Sequence, residues 1–197
     1  MEFTKLPKVL GLDVSTKTIG WALFDMSSKQ LLELTHFTPN IKPKPVDKIE
    51  ENLKKANAFE KKLKEVKDLG IVEVIIEEPL LTSNNLYTVG TLLRYNSMIV
   101  KVVYDVLGLI PKFVSTYNAR KFAFPKLVRE NIKGKKVLFG GYPKGCNKKQ
   151  IVWEQVRESE PQIKWFYTRN NTLKKECFDM ADAYTCVIGH MKKEGIW

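Results

Sequence analysis

The sequence predicts an α/β fold with a mixed sheet, and three observations carry that prediction. Three short apolar runs open the chain at hairpin spacing: Val9–Val14, Ile19–Phe24 and Leu31–Phe37. Two further apolar runs follow at Ile71–Ile76 and Pro111–Val114. Stretches with helical periodicity separate and follow these later runs. Strands feeding helices after an initial meander indicate one mixed sheet flanked by helices.

Each element has its own warrant. Val9–Val14 is short and uninterruptedly apolar, as a fully buried strand is, and Ile19–Phe24 is its hairpin partner across a small polar turn. Leu31–Phe37 alternates apolar and polar positions and completes the meander. Pro39, Pro43 and Pro45 then break the pattern. Asp47-Lys48-Ile49-Glu50 has the form of a capping box. Behind it Ile49, Leu53, Ala56, Leu63 and Val66 mark the buried stripe of an amphipathic helix, with Gly70 as its C-cap. Ile71–Ile76 is the next buried strand. Glu77 stands at its end, and Pro79, which cannot donate to a ladder, stops it. Leu86–Leu107 is a long apolar helix between Ser83-Asn84-Asn85 and Gly108. Its apolar residues cover more than one stripe, which implies burial on several sides or a dimer interface. Pro111–Val114 is the last strand. A helix from about Asn147 contains Val152–Val156, and Glu176–Met191 forms the final helix.

At 197 residues the chain suits one domain, 1–197, with a sizeable core. No apolar stretch approaches the roughly 18 residues of a membrane-spanning helix. Met1–Lys8 has the character of neither a signal peptide nor a transit sequence. Cys146, Cys177 and Cys186 are odd in number and lack C-x-x-C spacing, which argues against a disulfide framework. The expected setting is reducing and cytoplasmic. The net charge is +11, with 28 Lys and 5 Arg against 22 acids. Such a field attracts phosphate backbones and gains from counterion release. The preference for Lys over Arg suits phosphate tracking more than bidentate reading of bases.

Against this basic background, a few acids stand where acids are costly. Asp13 follows the buried run Val9-Leu10-Gly11-Leu12, Glu77 follows Val74-Ile75-Ile76, and Asp179 and Asp182 lie three apart on the last helix. A carboxylate beside buried aliphatics needs a cation or a metal. Mg²⁺ and Mn²⁺ take oxygen ligands, and phosphodiester cleavage often uses two such ions held by carboxylates from several elements. Each acid alone has a simpler explanation. Asp13 could cap the Ser15-Thr16 turn, Glu78 could face solvent beside Glu77, and Asp179 and Asp182 could form an exposed helix edge. Together they are harder to dismiss. Cys186 and His190, four apart on a helix, have the spacing of half a zinc site, but no second half is in view.

The segment from Lys126 to Lys149 holds eight basic residues and one acid, a net of +7. Gly134, Gly140, Gly141 and Gly145 suggest a mobile loop, and Phe139 and Tyr142 within it suit base stacking. Candidate contacts to DNA are Arg120, Lys121, Lys133, Lys135, Lys136, Lys144, Lys148 and Lys149.

The order and wording of these motifs resemble the RuvC-type Holliday-junction resolvases of the RNase H-like superfamily. Leu10-Gly11-Leu12-Asp13, with Gly20 after it, resembles that family's first strand and hairpin. Ile75-Ile76-Glu77-Glu78 resembles its fourth-strand glutamate, and Asp179-Met180-Ala181-Asp182-Ala183 its C-terminal helix. The resemblance extends over the long helix and a strand running on to Ser115-Thr116-Tyr117-Asn118-Ala119-Arg120. It implies an RNase H-like mixed five-stranded sheet flanked by helices, and metal ligands at Asp13, Glu77, Asp179 and Asp182. Lys148 would lie near the cleaved phosphate. It further implies a Mg²⁺-dependent (Mn²⁺ possible) endonuclease with two ions per site. That enzyme would be a homodimer acting on four-way DNA junctions by paired cuts, with no membrane partner and no small-molecule substrate. Val14-Ser15-Thr16 departs from the Pro-Gly-Ser usual in bacterial members, and the 126–149 segment is longer and more basic. Both departures suggest a phage, viral or organellar branch. Two other readings stay open: a YqgF-like RNA-processing nuclease and a non-catalytic junction-binding protein. An actin-like or sugar-kinase phosphate site at Asp13-Val14-Ser15-Thr16 and Asp25 would need a second domain for which this chain has no room.

Overall fold

The computed structural model describes residues 6–79, 85–131 and 133–197. The opening residues 1–5 and the helix boundary at Ser83-Asn84 lie outside them. Strands β1 (Lys8–Val14), β2 (Ile19–Asp25) and β3 (Leu31–Phe37) form the expected antiparallel meander. Helix α1 (Lys48–Val66) leads to β4 (Ile71–Glu77), and α2 (Leu86–Leu107) to β5 (Lys112–Val114). Both β1–β4 and β4–β5 pair in parallel, so the sheet is mixed and five-stranded in the order β3-β2-β1-β4-β5. Helices α3 (Thr116–Ala123), α4 (Lys148–Ser159) and α5 (Glu176–Lys193) complete the chain. Between α3 and α4 stands a small hairpin of β6 (Val128–Glu130) and β7 (Lys136–Leu138).

The central strands are apolar on both faces because helices cover both. Leu10, Leu12, Trp21, Leu23, Val74 and Ile76 pack under α1 and α2 through Phe59, Leu63, Tyr95 and Ile99. Val9, Ala22, Phe24 and Ile75 point the other way, into a second core built on α3, α4 and α5. The two-residue side-chain period then decides where the acids go. Asp13 follows Val9 and Gly11, and Glu77 follows Ile75, so both share the face beneath α5.

Two glycines let α5 approach that face. A Cβ on Gly11 would lie 2.5 Å from the Ala183 carbonyl oxygen and from Val187 Cγ2. One on Gly20, the register partner of Asp13, would collide with the backbone of Asp179. Gly189 meets Ala119 of α3 just as closely. Backbone therefore rests on backbone, and the first turns of α5 are pinned over the end of β1.

Several local expectations need correction. The buried stripe of α1 is Ala56, Phe59, Leu63 and Val66, together with Asn52 and Lys55, whereas Ile49 and Leu53 are exposed. Asp47 caps α1 through Ile49 N–H and Glu50 N–H, but the Glu50 carboxylate reaches back to Val46 N–H rather than to the cap residue. Residues 115–120 are not strand. Ser115 accepts from Asn118 N–H and starts α3, because a hydroxyl cap competes successfully with the ladder. The 126–149 segment is not an open loop either. It folds as the β6–β7 hairpin, and Phe139 is buried in the core under α3 and α4, so it is not free to stack on a base.

Candidate metal centre

The acids converge where β1, β4 and α5 meet. Carboxylate oxygens of Asp13, Glu77 and Asp182 all lie within 4.8 Å of one another. Asp13 and Glu77 arrive on neighbouring parallel strands, one step beyond the Leu12–Ile76 pair. Asp182 arrives from α5, one turn after Asp179. Asp179 stands at the edge of the trio and connects to it through Lys149, whose Nζ is 3.2 Å from Asp182 and 3.9 Å from Asp179. A cleft of about 350 Å³ opens over the group, with Pro79, Thr88 and Leu92 along its far wall.

Helix α3 supplies two partners on one face, a helical turn apart. The Thr116 hydroxyl donates to Glu77, and the Arg120 guanidinium donates to Asp182 at 2.9 Å. Arg120 is buried, so the structure places it inside the cleft rather than on an outer DNA surface. Asp182 is thus gripped on both oxygens, by Arg120 and by Lys149. Lys148 points elsewhere, with its ammonium over the Phe139 ring. Lys149, at the second position of α4, is the lysine at the acids. Neither Thr116 nor Lys149 was singled out for this role by the sequence reading. The available signal was spacing: a threonine directly after a Ser cap, with a cation four residues on.

The electrostatics follow from this crowding. Burial raises the Asp13 carboxyl well above the usual aspartate range, and the neighbouring Glu77, Asp182 and Asp179 add to the effect. Glu77 is also raised, by burial and by Asp182, against the opposing pull of Thr116 and Arg120. Burial pushes Asp179 up to about 6. Burial disfavours the Lys149 ammonium, but Asp182, Asp13 and Asp179 outweigh it and hold its pKa above the lysine value. Four acids against two cations leave the site with two uncompensated negative charges when all are ionised. The ligand set is oxygen only. Both features fit a hard divalent cation held by Asp13, Glu77 and Asp182.

The remaining candidates lie apart. Asp25 caps its own turn, its Oδ1 accepting from Ser27 N–H, Ser28 N–H and the Ser28 hydroxyl. Ser15 closes the β1–β2 turn with Thr18, so that turn does not need Asp13 as its cap. His190 faces Glu73 at 3.3 Å and takes part in no zinc set among the described residues. All three cysteines are free. Lys133, Lys135, Lys136 and Lys144 are exposed on or beside the β6–β7 hairpin, and Lys121 lies along the Tyr117 and Phe122 rings.

No family model and no curated protein matches the sequence. Solved structures do. Thermus thermophilus RuvC superposes with a TM-score of 0.56 at 14% identity, covering 96% of this chain and 97% of that one. The same enzyme in complex with Holliday junction substrate gives 0.59 at 13% identity, covering 96% and 95%. This is the RuvC fold. The yeast mitochondrial Holliday junction resolvase Ydc2 shares it, with a TM-score of 0.57 at 13% identity over 97% of this chain and 80% of that one. The RNase H-like fold expected from the motifs is therefore present across nearly the whole chain. No helix among the described residues is long and apolar enough to cross a membrane.

Proposed function

We propose that this protein is a metal-dependent endonuclease that cleaves four-way DNA junctions by paired phosphodiester hydrolysis as a homodimer. The observation that carries this reading is the convergence of Asp13, Glu77 and Asp182 within 4.8 Å beneath α5 of a RuvC fold. The basic charge of the chain and the junction-bound RuvC neighbour support it. Two Mg²⁺ or Mn²⁺ ions are the expected cofactors, activating water and stabilising the leaving oxygen. The chain's own residues have separable tasks. Thr116 fixes the rotamer of Glu77, Arg120 fixes Asp182, and the rigid contact of α5 with Gly11 and Gly20 fixes the spacing between them. Lys149, half exposed at the cleft mouth, is placed to neutralise a non-bridging phosphate oxygen. Asp179 edges the cleft as the fourth acid of the set.

Labelled four-way junction, duplex, flap and structured RNA substrates, each with and without Mg²⁺, test the reading directly. Metal-dependent cutting of the junction in preference to the others is expected. Preferential cutting of RNA would point to an RNA-processing nuclease. Junction binding without any cleavage would reduce the protein to a non-catalytic binder.

A further inference from the structure

A second, larger depression adjoins the carboxylate cleft and shares Ser15, Thr16, Lys149 and Asp179 with it. Its volume is about 990 Å³, against about 350 Å³ for the cleft. It is lined by the β1–β2 turn, by the proline-rich linker between β3 and α1, and by the first turns of α4 and α5. Five lysines line it against three acids. Lys55 and Lys149 are committed, the first to the Thr16 carbonyl at 2.6 Å and to Glu51, the second to Asp182. Lys17, Lys44 and Lys175 make no ion pair among the described residues. Pro39, Ile41 and Phe178 add apolar surface to the same lining.

We propose that this groove seats a single DNA strand running away from the scissile phosphate. The proposal rests on the nuclease reading of the adjoining centre and adds a path that the basic hairpin does not provide. Unpaired lysines and an aromatic side chain lining one depression are what a single strand needs: ammoniums for phosphates and a ring for an unstacked base. The β1–β2 turn is preorganised, because Lys55 ties it to α1 through the Thr16 carbonyl and is itself paired with Glu51. The depression shares Asp179 and Lys149 with the carboxylate cleft, so a strand seated in it lies next to the carboxylates.

The test replaces Lys17, Lys44 and Lys175 together by Ala, with a second variant Phe178→Leu and a control in which exposed Lys29, Lys61 and Lys67 become Ala. Binding of a labelled oligothymidylate is followed by anisotropy in EDTA across a salt series, and junction cleavage is followed in Mg²⁺. The groove variant is expected to lose at least tenfold in oligothymidylate affinity. Its logarithmic salt slope should flatten by about 2, since each single-strand phosphate contributes roughly 0.7. Phe178→Leu should weaken binding several-fold with the slope unchanged. Unchanged affinity and slope in the groove variant, or losses matched by the control, would overturn the proposal even if the wild type cuts junctions normally. A wild type that binds oligothymidylate through these lysines but cuts no junction would instead remove the nuclease reading and leave the groove standing.

Discussion

At the residue scale the acids do not behave alike, and the structure says why. Asp13 is partly buried among other acids, so Asp13→Asn removes an unfavourable charge and keeps the shape. Metal-dependent cleavage should fall by orders of magnitude while the metal-free protein melts at a higher temperature. Asp182 is different because two cations depend on it. Asp182→Asn should abolish cleavage and also cost about 3 kcal/mol, because Arg120 is left buried beside a neutral amide. Calorimetry of both variants in EDTA checks the contrast, and Asp25→Asn and Glu78→Gln should cut nearly normally. The raised pKa of Asp179 adds a pH signature. Its folded value of about 6 lies above the unfolded value of 3.8, so its contribution to stability is full below about pH 4 and lost as pH rises through 6. The melting temperature of Asp179→Asn relative to wild type, without metal, should therefore climb between pH 4 and pH 7. A flat difference would mean that Asp179 is not strained. Asp13 and Glu77 stand out in the sequence because a carboxylate ending an apolar run needs an explanation, and the three-residue step from Asp179 to Asp182 puts both on one helix face. Arg120 in the cleft, and Lys149 in place of Lys148, were not legible. Which of two adjacent lysines faces inward depends on how α4 rolls against α5, and no local pattern encodes that roll.

At the scale of elements, the opening meander, α1, β4, α2 and α5 were readable from periodicity and caps. Leu86–Leu107 was readable to its ends, because Asn85 and Gly108 flank it. What escaped were the short pieces. Helix α3 spans 8 residues behind a Ser cap, and the β6–β7 strands have 3 residues each, too few for any period to show. Phe139 reads as a loop aromatic in the sequence, yet it belongs to the core that also holds Trp153 and Val156 of α4, and no local pattern shows that burial. The close approach of α5 yields a prediction on glycines. Gly20→Ala should push α5 off the sheet, destabilise the fold and reduce cleavage together, since Asp179 and Asp182 travel with that helix. Gly90 is the contrast. It lies inside α2 with open space where a Cβ would go, so Gly90→Ala should stabilise the protein by about 0.5–1 kcal/mol and leave cleavage intact. Thermal melts of the two variants should move in opposite directions.

For the whole molecule, the questions are how the charge meets DNA and how two sites would meet one junction. The β6–β7 hairpin carries exposed Lys135 and Lys136, and Lys144 follows it. Changing the three to Ala should flatten the salt dependence of junction affinity by up to about 2.7, at roughly 0.9 per phosphate on duplex arms. An unchanged slope would take the hairpin off the DNA.

Paired cutting requires a two-fold axis that places two carboxylate centres on opposed strands. The surface best suited to that axis is α2, which packs on α1 with one face and leaves Leu86, Tyr87, Leu93 and Tyr104 exposed. Leu86, Leu93 and Tyr104 fall near one face of the helix at its 3.6-residue period, which suits an interface. Because α2 also borders the cleft through Thr88 and Leu92, an interface there would fix the distance between the two centres. Sedimentation at micromolar concentration should therefore give about twice the 22.7 kDa chain mass. Leu93→Glu with Tyr104→Glu should yield a folded monomer, because both side chains already lie in solvent. That monomer should bind a four-way junction more weakly and should nick single strands without pairing the cuts. If the double variant still resolves junctions with coupled incisions, α2 is not the dimer surface and the second centre must approach from another face.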